Sequence, residues 1–497
     1  MFCAVPKQDY RVGGTSPPNW AAEMFGGLWE YIPTAAQTTI LSMHDELVSL
    51  QEEVNELRAR LRQDSSNSSK PPSSDPPWQK PRRERKPKST RFIGGQPGHP
   101  GHVRPSLSPS NIDEIVHHFP EQCAHCGRTF ASDDEVEQAL KRHQLSELPV
   151  IKVKVTEHQM HTRSCKACGK ITEAKLPSEV PKSAFGPRLQ AEVVHLVANC
   201  HLSRRGLVKY AAESWGAPIS LGSVHRIEQN VAQALKQPYH EALETVKAAS
   251  IRYVDETGWP QKNKIGWLWS AGCAVATVFT IACNRGQQVF VELLGDAVQQ
   301  GFFVSDRYRA YRVVNMERRG VCHAHLKRDF AKLEEREGFA HLIGSGLRFQ
   351  HTLMFEQVHR FHSGELNATE LQKCLESIKE RMRGLLESGR DASDKKLAGM
   401  CTDILRHWPA LWTFVSVPGM EPTNNAAERS LRQAVLWRKG SFGTQSMAGS
   451  RFVERLLTVT HTCRQNRRNV LDYLISAVKA ALLGEAAPKL ILAIPDG

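Results

Sequence analysis

Three acidic residues in this sequence stand where an acid could do chemistry. Asp255 lies in "YVDETGWP", Asp306 in "GFFVSDRYRAY" and Glu428 in "EPTNNAAERSLR". The stretch around Asp255 reads as a strand end, and Asp306 follows a short apolar run of the kind that forms a buried strand. Fifty-one residues separate the two. That is room for two strands and a helix, an order that can bring two strand ends side by side. A strand alternates its faces, so Asp255 and its neighbour Glu256 cannot both serve one site, whereas Tyr253 and Asp255 share a face. Taken singly, each acid also has a structural reading. Asp255 and Glu256 suit a solvated turn, and Asp306 suits a turn after a strand. Asn425 and Glu428 fit a capping box, and Arg432, four residues after Glu428, offers an ordinary helical ion pair. As a set, Asp, Asp and Glu can hold two divalent ions about 3.5–4 Å apart. Oxygen ligands suit magnesium or manganese. One ion would activate an attacking water or 3′-hydroxyl and the other would stabilise the leaving oxygen, which is phosphodiester chemistry.

A second constellation is made of cysteines. Cys123 and Cys126 form "CAHC", and Cys165 and Cys168 form "CKAC"; a glycine follows each pair. Two such pairs can close one tetrahedral four-thiolate zinc site, with Zn–S distances of about 2.3 Å. Four thiolates leave no open position, so the expected zinc is structural. The alternative is two unrelated pairs or redox dithiols, and His125 reads as a bystander. The chain has 12 cysteines and its N-terminus does not read as a signal peptide, so a disulfide framework is not expected.

These sites need a scaffold, and at 497 residues the chain is too long for one core. Hydrophobic residues make up 40% and charged residues 24%, an ordinary globular balance. The formal net charge of +13 favours a polyanionic partner, most simply nucleic acid. Gly266 to Cys283 is uncharged over 18 residues, near the lower limit for a membrane span. Its Trp, Val, Thr, Phe and Ile content instead reads as two buried strands meeting near Gly272.

Upstream, Ile40, Met43, Leu47, Leu50, Val54, Leu57 and Leu61 alternate spacings of three and four. That seam reads as a coiled coil and implies self-association; a helix lying on its own domain is the alternative. A Ser-, Pro- and Gly-rich stretch follows, in which Lys80 to Arg91 holds seven Lys or Arg against one Glu. Arg82, Arg83, Arg85, Lys86 and Lys88 of that run could lie along a phosphate backbone without reading sequence. "LSRRGLVKYAAESW" and "SLGSVHRIEQNVAQAL", joined by "GAPI", suggest a helix-turn-helix. Its DNA contacts would come from Arg204, Arg205 and Arg226, with Ser223, His225 and Gln229 on the second helix.

The motifs together resemble those of transposases of the insertion-sequence 66 family. The resemblance rests on "YVDETGW", "VSDRYRAY", "CHAHLKRDF", "EPTNNAAERSLR", "LWRKGSFGTQS" and "TCRQNRRNVLDYL", and upstream on "NSSKPPSSD" and the paired C-x-x-C motifs; it covers about residues 40–480. It implies a ribonuclease-H-like mixed-sheet core with a DDE triad, whose metal ligands are Asp255, Asp306 and Glu428. It also implies a helical insertion between the second and third acids and work beside accessory proteins of the same element. His325 matches a family histidine and could contact a phosphate or orient a ligand, with a satisfied core histidine as the alternative. Asn424 and Asn425 sit where they would support the site, and Arg429, Arg432, Arg438 and Lys439 could clamp DNA near the metals. Many relatives carry Asp just before the Asn pair, where this chain has Thr423, and Glu421 is a candidate for a supporting role.

The expected architecture is therefore multidomain, α/β and α. A leader (1–36) precedes a coiled coil (37–63), a basic linker (64–104), a zinc-binding unit (105–180) and a helical DNA-binding region (181–248). The first part of the catalytic core (249–330), a helical insertion (331–410) and the rest of the core with C-terminal helices (411–497) complete it. The expected activity is that of a DNA transposase using two magnesium or manganese ions per active site and one structural zinc. Its partners would be double-stranded DNA, as element ends and target, and further copies of itself, in the bacterial cytoplasm and away from membranes. Two alternatives stay open: a ribonuclease-H-like nuclease or resolvase without strand joining, and a catalytically dead zinc-containing DNA-binding protein.

Overall fold

The computed structural model describes residues 18–61, 63–64, 67, 105–131, 142–262 and 264–492. The basic run with Arg82, Arg83, Arg85, Lys86 and Lys88 lies outside the described residues. Near the N-terminus, α1 (Asn19–Phe25) and a 3-10 turn lead into α2 (Thr34–Leu61). Trp20 stacks on His44 at 3.9 Å and so packs α1 against the first half of α2. Met43, Leu47, Leu50, Val54, Leu57 and Leu61 are all exposed along the helix.

The two C-x-x-C pairs sit in matching turns. Around the first, Cys123 N–H donates to the Arg128 carbonyl and Gly127 N–H to the Cys123 carbonyl. Around the second, Cys165 and Lys170, and Gly169 and Cys165, repeat that pattern. The second turn closes a hairpin of β1 (Thr162–Ser164) and β2 (Ile171–Glu173). Gly127 and Gly169 have φ of 72° and 69°, so glycine is the residue that lets each turn close.

Four helices follow: α3 (Pro187–Ala198), α4 (Arg204–Trp215), α5 (Leu221–Ala234) and α6 (Lys236–Ala248). Gly216, at φ 63°, ends α4, and Ser220 caps α5, so the pair is separated by a short turn. Val224, Ile227 and Val231 of α5 are buried, while His225, Arg226 and Gln229 remain exposed. The guanidinium of Arg252 fastens the end of α6 to the sheet, donating to the Val246 and Gln300 carbonyls at 2.8 and 2.6 Å and also to that of Lys247.

The sheet has five strands: β3 (Ile251–Gly258), β4 (Trp267–Gly272), β5 (Thr277–Ala282), β6 (Phe302–Ser305) and β7 (Arg319–Val321), in the order β5-β4-β3-β6-β7. The first three run antiparallel as a meander, and β6 and β7 run parallel to β3. Parallel strands need a crossover, and α7 (Gln287–Leu294) supplies it between β5 and β6. The uncharged run from Gly266 is thus β4 and β5, and no helix among the described residues is long and apolar enough to cross a membrane.

Five helices then leave the sheet: α8 (His323–Glu334), α9 (Phe339–His362), α10 (Ala368–Arg390), α11 (Lys395–Arg406) and α12 (Trp408–Ser416). Leu326, Phe330, Leu347, Met354, Leu375, Met382 and Leu411 bury one another in a core distinct from that of the sheet. Gly344 permits the close crossing of α8 and α9, since a β-carbon there would stand 2.2 Å from the Glu334 amide nitrogen. The chain returns with α13 (Asn425–Ser441), α14 (Met447–Gln465) and α15 (Val470–Leu483).

Helix α14 covers the edge strand. The outward N–H groups of Thr277, Phe279 and Ile281 donate to Thr462 Oγ1, Thr458 Oγ1 and Glu454 Oε1 at 3.2, 3.0 and 2.7 Å. Positions 454, 458 and 462 share one helix face, and 277, 279 and 281 share one strand edge, so two periodicities meet in register. An open edge would template pairing with another chain; this one is satisfied.

Candidate metal centre

Asp255 lies on β3, and Asp306 immediately follows β6. The β3–β6 pairing ends at Tyr253 and Val304, and each acid lies two residues beyond it on its own strand or the turn that follows. Burial pushes the Asp255 carboxyl well above its usual range, and the charges of Glu256, Asp306 and Glu428 push it the same way. The opposing influence is the Glu256 N–H, which donates to Asp255 Oδ1 at 2.9 Å. The Asp306 turn is held from several sides. Tyr308 N–H donates to Asp306 Oδ1 at 2.8 Å, and Arg319 donates to the Asp306 carbonyl at 3.0 Å. Arg307 pairs with Asp329 of α8 and Asp403 of α11, tying the turn to the helical insertion.

Glu256 faces the other way from Asp255, as alternation requires, and is buried. It is nonetheless no bystander. Its carboxylate takes a hydrogen bond from Tyr311 and an ion pair from Arg285. Arg285 also approaches Asp306 Oδ2 at 3.9 Å and covers the Tyr308 ring. Glu256 therefore anchors the cation that stands beside Asp306. Tyr253, on the Asp255 face, accepts the Glu421 N–H through its hydroxyl at 3.0 Å. Glu421 thus contacts the strand through its backbone.

Glu428 enters from the first turn of α13. Two structural readings of this residue are corrected. The capping box is not formed: the N-cap is Asn424, not Asn425, and it makes no side-chain cap bond. Its amide instead donates to the Val254 carbonyl at 2.8 Å, because that buried strand carbonyl is within reach and needs a donor. Nor does Arg432 pair with Glu428; the nearest basic groups to Glu428 Oε1 are the His325 imidazole, whose Nδ1 is at 3.6 Å, and the Arg328 guanidinium at 3.8 Å. Burial raises the Glu428 carboxyl, Arg328 opposes this, and Asp306 adds to it. Asn425 is exposed.

His325 lies in the first turn of α8. Burial, aided by Arg328, holds its imidazole down to about 4, so it is neutral near pH 7. The other histidine of "CHAH", His323, is fully buried and bonds the Leu411 carbonyl through Nε2 at 2.8 Å, while its Nδ1 is also without a partner. His325 Nδ1 and Glu428 Oε1 are both buried and without a hydrogen-bond partner. With Cys322 Sγ they form the group of ligand atoms, among the described residues, that lie within 4.8 Å of one another. Orphaned buried acceptors facing one another fit a cation.

The four zinc-type cysteines are not gathered in this way, although all four are described. Each pair is locally prepared. The N–H of Cys126, then that of His125, lowers the Cys123 thiol, and the N–H of Cys168, then that of Ala167, lowers the Cys165 thiol. Of the expected DNA contacts, Arg205, Arg226, Arg429, Arg432 and Lys439 are exposed. Arg204 pairs with buried Glu228 at 2.7 Å. Arg438 bonds Thr257 at 3.2 Å and the Gly258 carbonyl, so it clamps α13 to the end of β3.

With this geometry, similarity to known proteins becomes informative. The model of the Transposase IS66 family matches residues 182–451, more than half of the chain. The chain belongs to the IS66 transposase family. The match spans α4 and α5, the sheet, the helical insertion and α13. Residues 28–105 match a family of unknown function, DUF6444. An uncharacterized protein of Sinorhizobium fredii (strain NBRC 101917 / NGR234), y4hP, is 23% identical over 396 residues, covering 71% of this chain and 69% of that one.

Three residues around these acids carry no clear signal in the sequence. Arg285 sits in the turn after β5, and its only signal is a lone cation directly after a long uncharged run. Tyr311 is fully buried against Glu256 and looked like one more aromatic in "DRYRAY". Arg328 is one helical turn beyond His325 and lies within "CHAHLKRDF", where its residue type alone does not set it apart from Lys327.

Proposed function

We propose that this chain is a DNA transposase that cuts the ends of its element by phosphodiester hydrolysis and joins the freed 3′-hydroxyls to target DNA by transesterification. The carrying observation is that Asp255, Asp306 and Glu428, from β3, the end of β6 and α13, lie near enough for the charges of the other two to raise the Asp255 carboxyl, although their oxygens are not gathered within 4.8 Å as those of the Cys322, His325 and Glu428 group are. The strand order β5-β4-β3-β6-β7, with an antiparallel meander and two parallel strands, supports a ribonuclease-H-like core.

Asp255, Asp306 and Glu428 would hold two magnesium or manganese ions. Bound there, the ions supply Lewis-acid stabilisation of the developing phosphate charge and a lowered pKa for the attacking oxygen. The chain's own part is positional. The β3–β6 register fixes two acids, Asn424 and Arg438 fix the helix carrying the third, and Arg285 and Arg328 set positive charge beside Asp306 and Glu428. Exposed Arg429, Arg432 and Lys439 on α13 would steer the phosphodiester backbone toward the acids. The exposed face of α5, with His225, Arg226 and Gln229, is the proposed base-reading surface, and the basic run at 80–91 adds sequence-independent affinity. The seam on α2 would pair protomers. The two cysteine turns would share one structural zinc once drawn together.

Two assays test this reading. Purified protein with a duplex carrying the element end should nick it in magnesium or manganese. A pre-cleaved end with a free 3′-hydroxyl should then be joined to plasmid DNA. Nicking without joining would favour a nuclease or resolvase, and DNA binding without nicking would favour a regulator.

A further inference from the structure

We propose that His325 supplies an imidazole nitrogen ligand to the divalent ion held by Glu428, making that half of the centre a mixed nitrogen–oxygen site. The inference rests on the reading of Glu428 as a metal ligand and adds a residue and a metal preference to it.

The geometry points to shared coordination rather than to a hydrogen bond. His325 Nδ1 and Glu428 Oε1 stand 3.6 Å apart, too far for a hydrogen bond. Both atoms are buried and neither has another hydrogen-bond partner. Leaving two such acceptors unmade is costly unless something lies between them. Two ligands of one ion, each at about 2.0–2.2 Å, fall roughly 3–3.6 Å apart. The observed separation lies at the wide end of that range.

The neighbouring groups sort themselves by what they already do. Cys322 Sγ accepts the Asn424 N–H at 3.1 Å, so its role is to hold the start of α13 next to α8. Arg328, at 3.8 Å from Glu428 Oε1, opposes a cation. So do the starts of two helices, whose N–H groups carry partial positive charge. Three carboxylates, Asp255, Asp306 and Glu428, outweigh the guanidinium groups of Arg328 and Arg285. His325 adds a ligand without adding charge.

An imidazole changes metal choice. Magnesium prefers oxygen and dehydrates reluctantly, whereas manganese accepts nitrogen more readily. The centre should therefore bind manganese more tightly than magnesium, and His325 should carry much of the difference.

The test uses the full chain and manganese(II) as the probe. Electron spin-echo spectroscopy of the bound ion should show nitrogen modulation, and calorimetry should give an affinity for manganese above that for magnesium. His325→Ala should remove the modulation and weaken manganese binding by about tenfold or more, with a smaller effect on magnesium. His325→Gln, which keeps a polar side chain of similar reach, serves if the alanine variant does not fold. Nitrogen modulation absent from the unaltered protein, or retained in both variants, overturns the inference. Asp306→Asn and Glu428→Gln separate the two levels. If they weaken manganese binding while His325→Ala does not, the three-acid centre stands and His325 is only an ion-pair partner. If they leave manganese binding unchanged, the three-acid reading fails and this inference fails with it.

Discussion

Asn424 Nδ2 donates to the Val254 carbonyl at 2.8 Å, joining the start of the helix that carries Glu428 to the strand residue beside Asp255. This buried hydrogen bond, with the Arg438 clamp to Thr257 and Gly258, ties the helix carrying Glu428 to the strand carrying Asp255. Asn424→Ala leaves the Val254 oxygen without its partner inside the fold. The expected cost is about 1–3 kcal/mol of stability, read by chemical denaturation. Cleavage at saturating metal should fall while affinity for DNA does not. Unchanged stability and rate would mean that α13 is positioned by other contacts.

The cysteine turns make a separate prediction. Each thiol pair is backbone-bonded in the same way, and zinc would draw the pairs together. Elemental analysis of the purified chain should give about one zinc per chain, lost on Cys165→Ser. A zinc-free chain with full secondary structure and unaltered thermal stability would count against a shared four-cysteine site.

Glu454 should make stability fall with rising pH. It is 1% exposed, and burial, only partly offset by Arg451 and the Ile281 N–H, pushes its carboxyl up from 4.5 to about 7. A raised acid binds its proton more tightly folded than unfolded. Its contribution is therefore complete below about pH 4.5 and is lost as pH rises through 7. Over that window the loss is on the order of 3 kcal/mol. Glu454→Gln keeps an oxygen for the Ile281 N–H and cannot ionise. It should match the unaltered protein at pH 4.5 and exceed it in melting temperature at pH 8. Equal melting temperatures at pH 8 would show that Arg451 compensates the buried charge fully.

Much of the architecture was legible because its signals are local. The strand containing Asp255, the run that became β4 and β5, the helix after "NRG" and the pair α4 and α5 each announce themselves by residue type and period. The acids were legible as candidates for the same reason: apolar strands followed by Asp are short-range patterns. What the sequence hid is long-range. Asn425 and Glu428 match a capping pattern, and only the approach of β3 shows that the helix starts from Asn424, whose amide goes to Val254. Glu256 looked idle because strand alternation says which way it points but not that Arg285 waits on that side. The edge cover of Glu454, Thr458 and Thr462 over β5 needs a helix and a strand far apart in sequence to meet in register. Nothing in either segment alone contains that fact.

The central claim is that Asp255, Asp306 and Glu428 form one catalytic metal centre. Its most direct test is metal-dependent nicking of an element-end duplex by Asp255→Asn, Asp306→Asn and Glu428→Gln, with DNA binding measured in parallel. Each variant should lose nicking in both magnesium and manganese while still shifting the duplex. Full nicking activity in any one of the three would contradict the assignment of that residue and, with it, the three-acid centre.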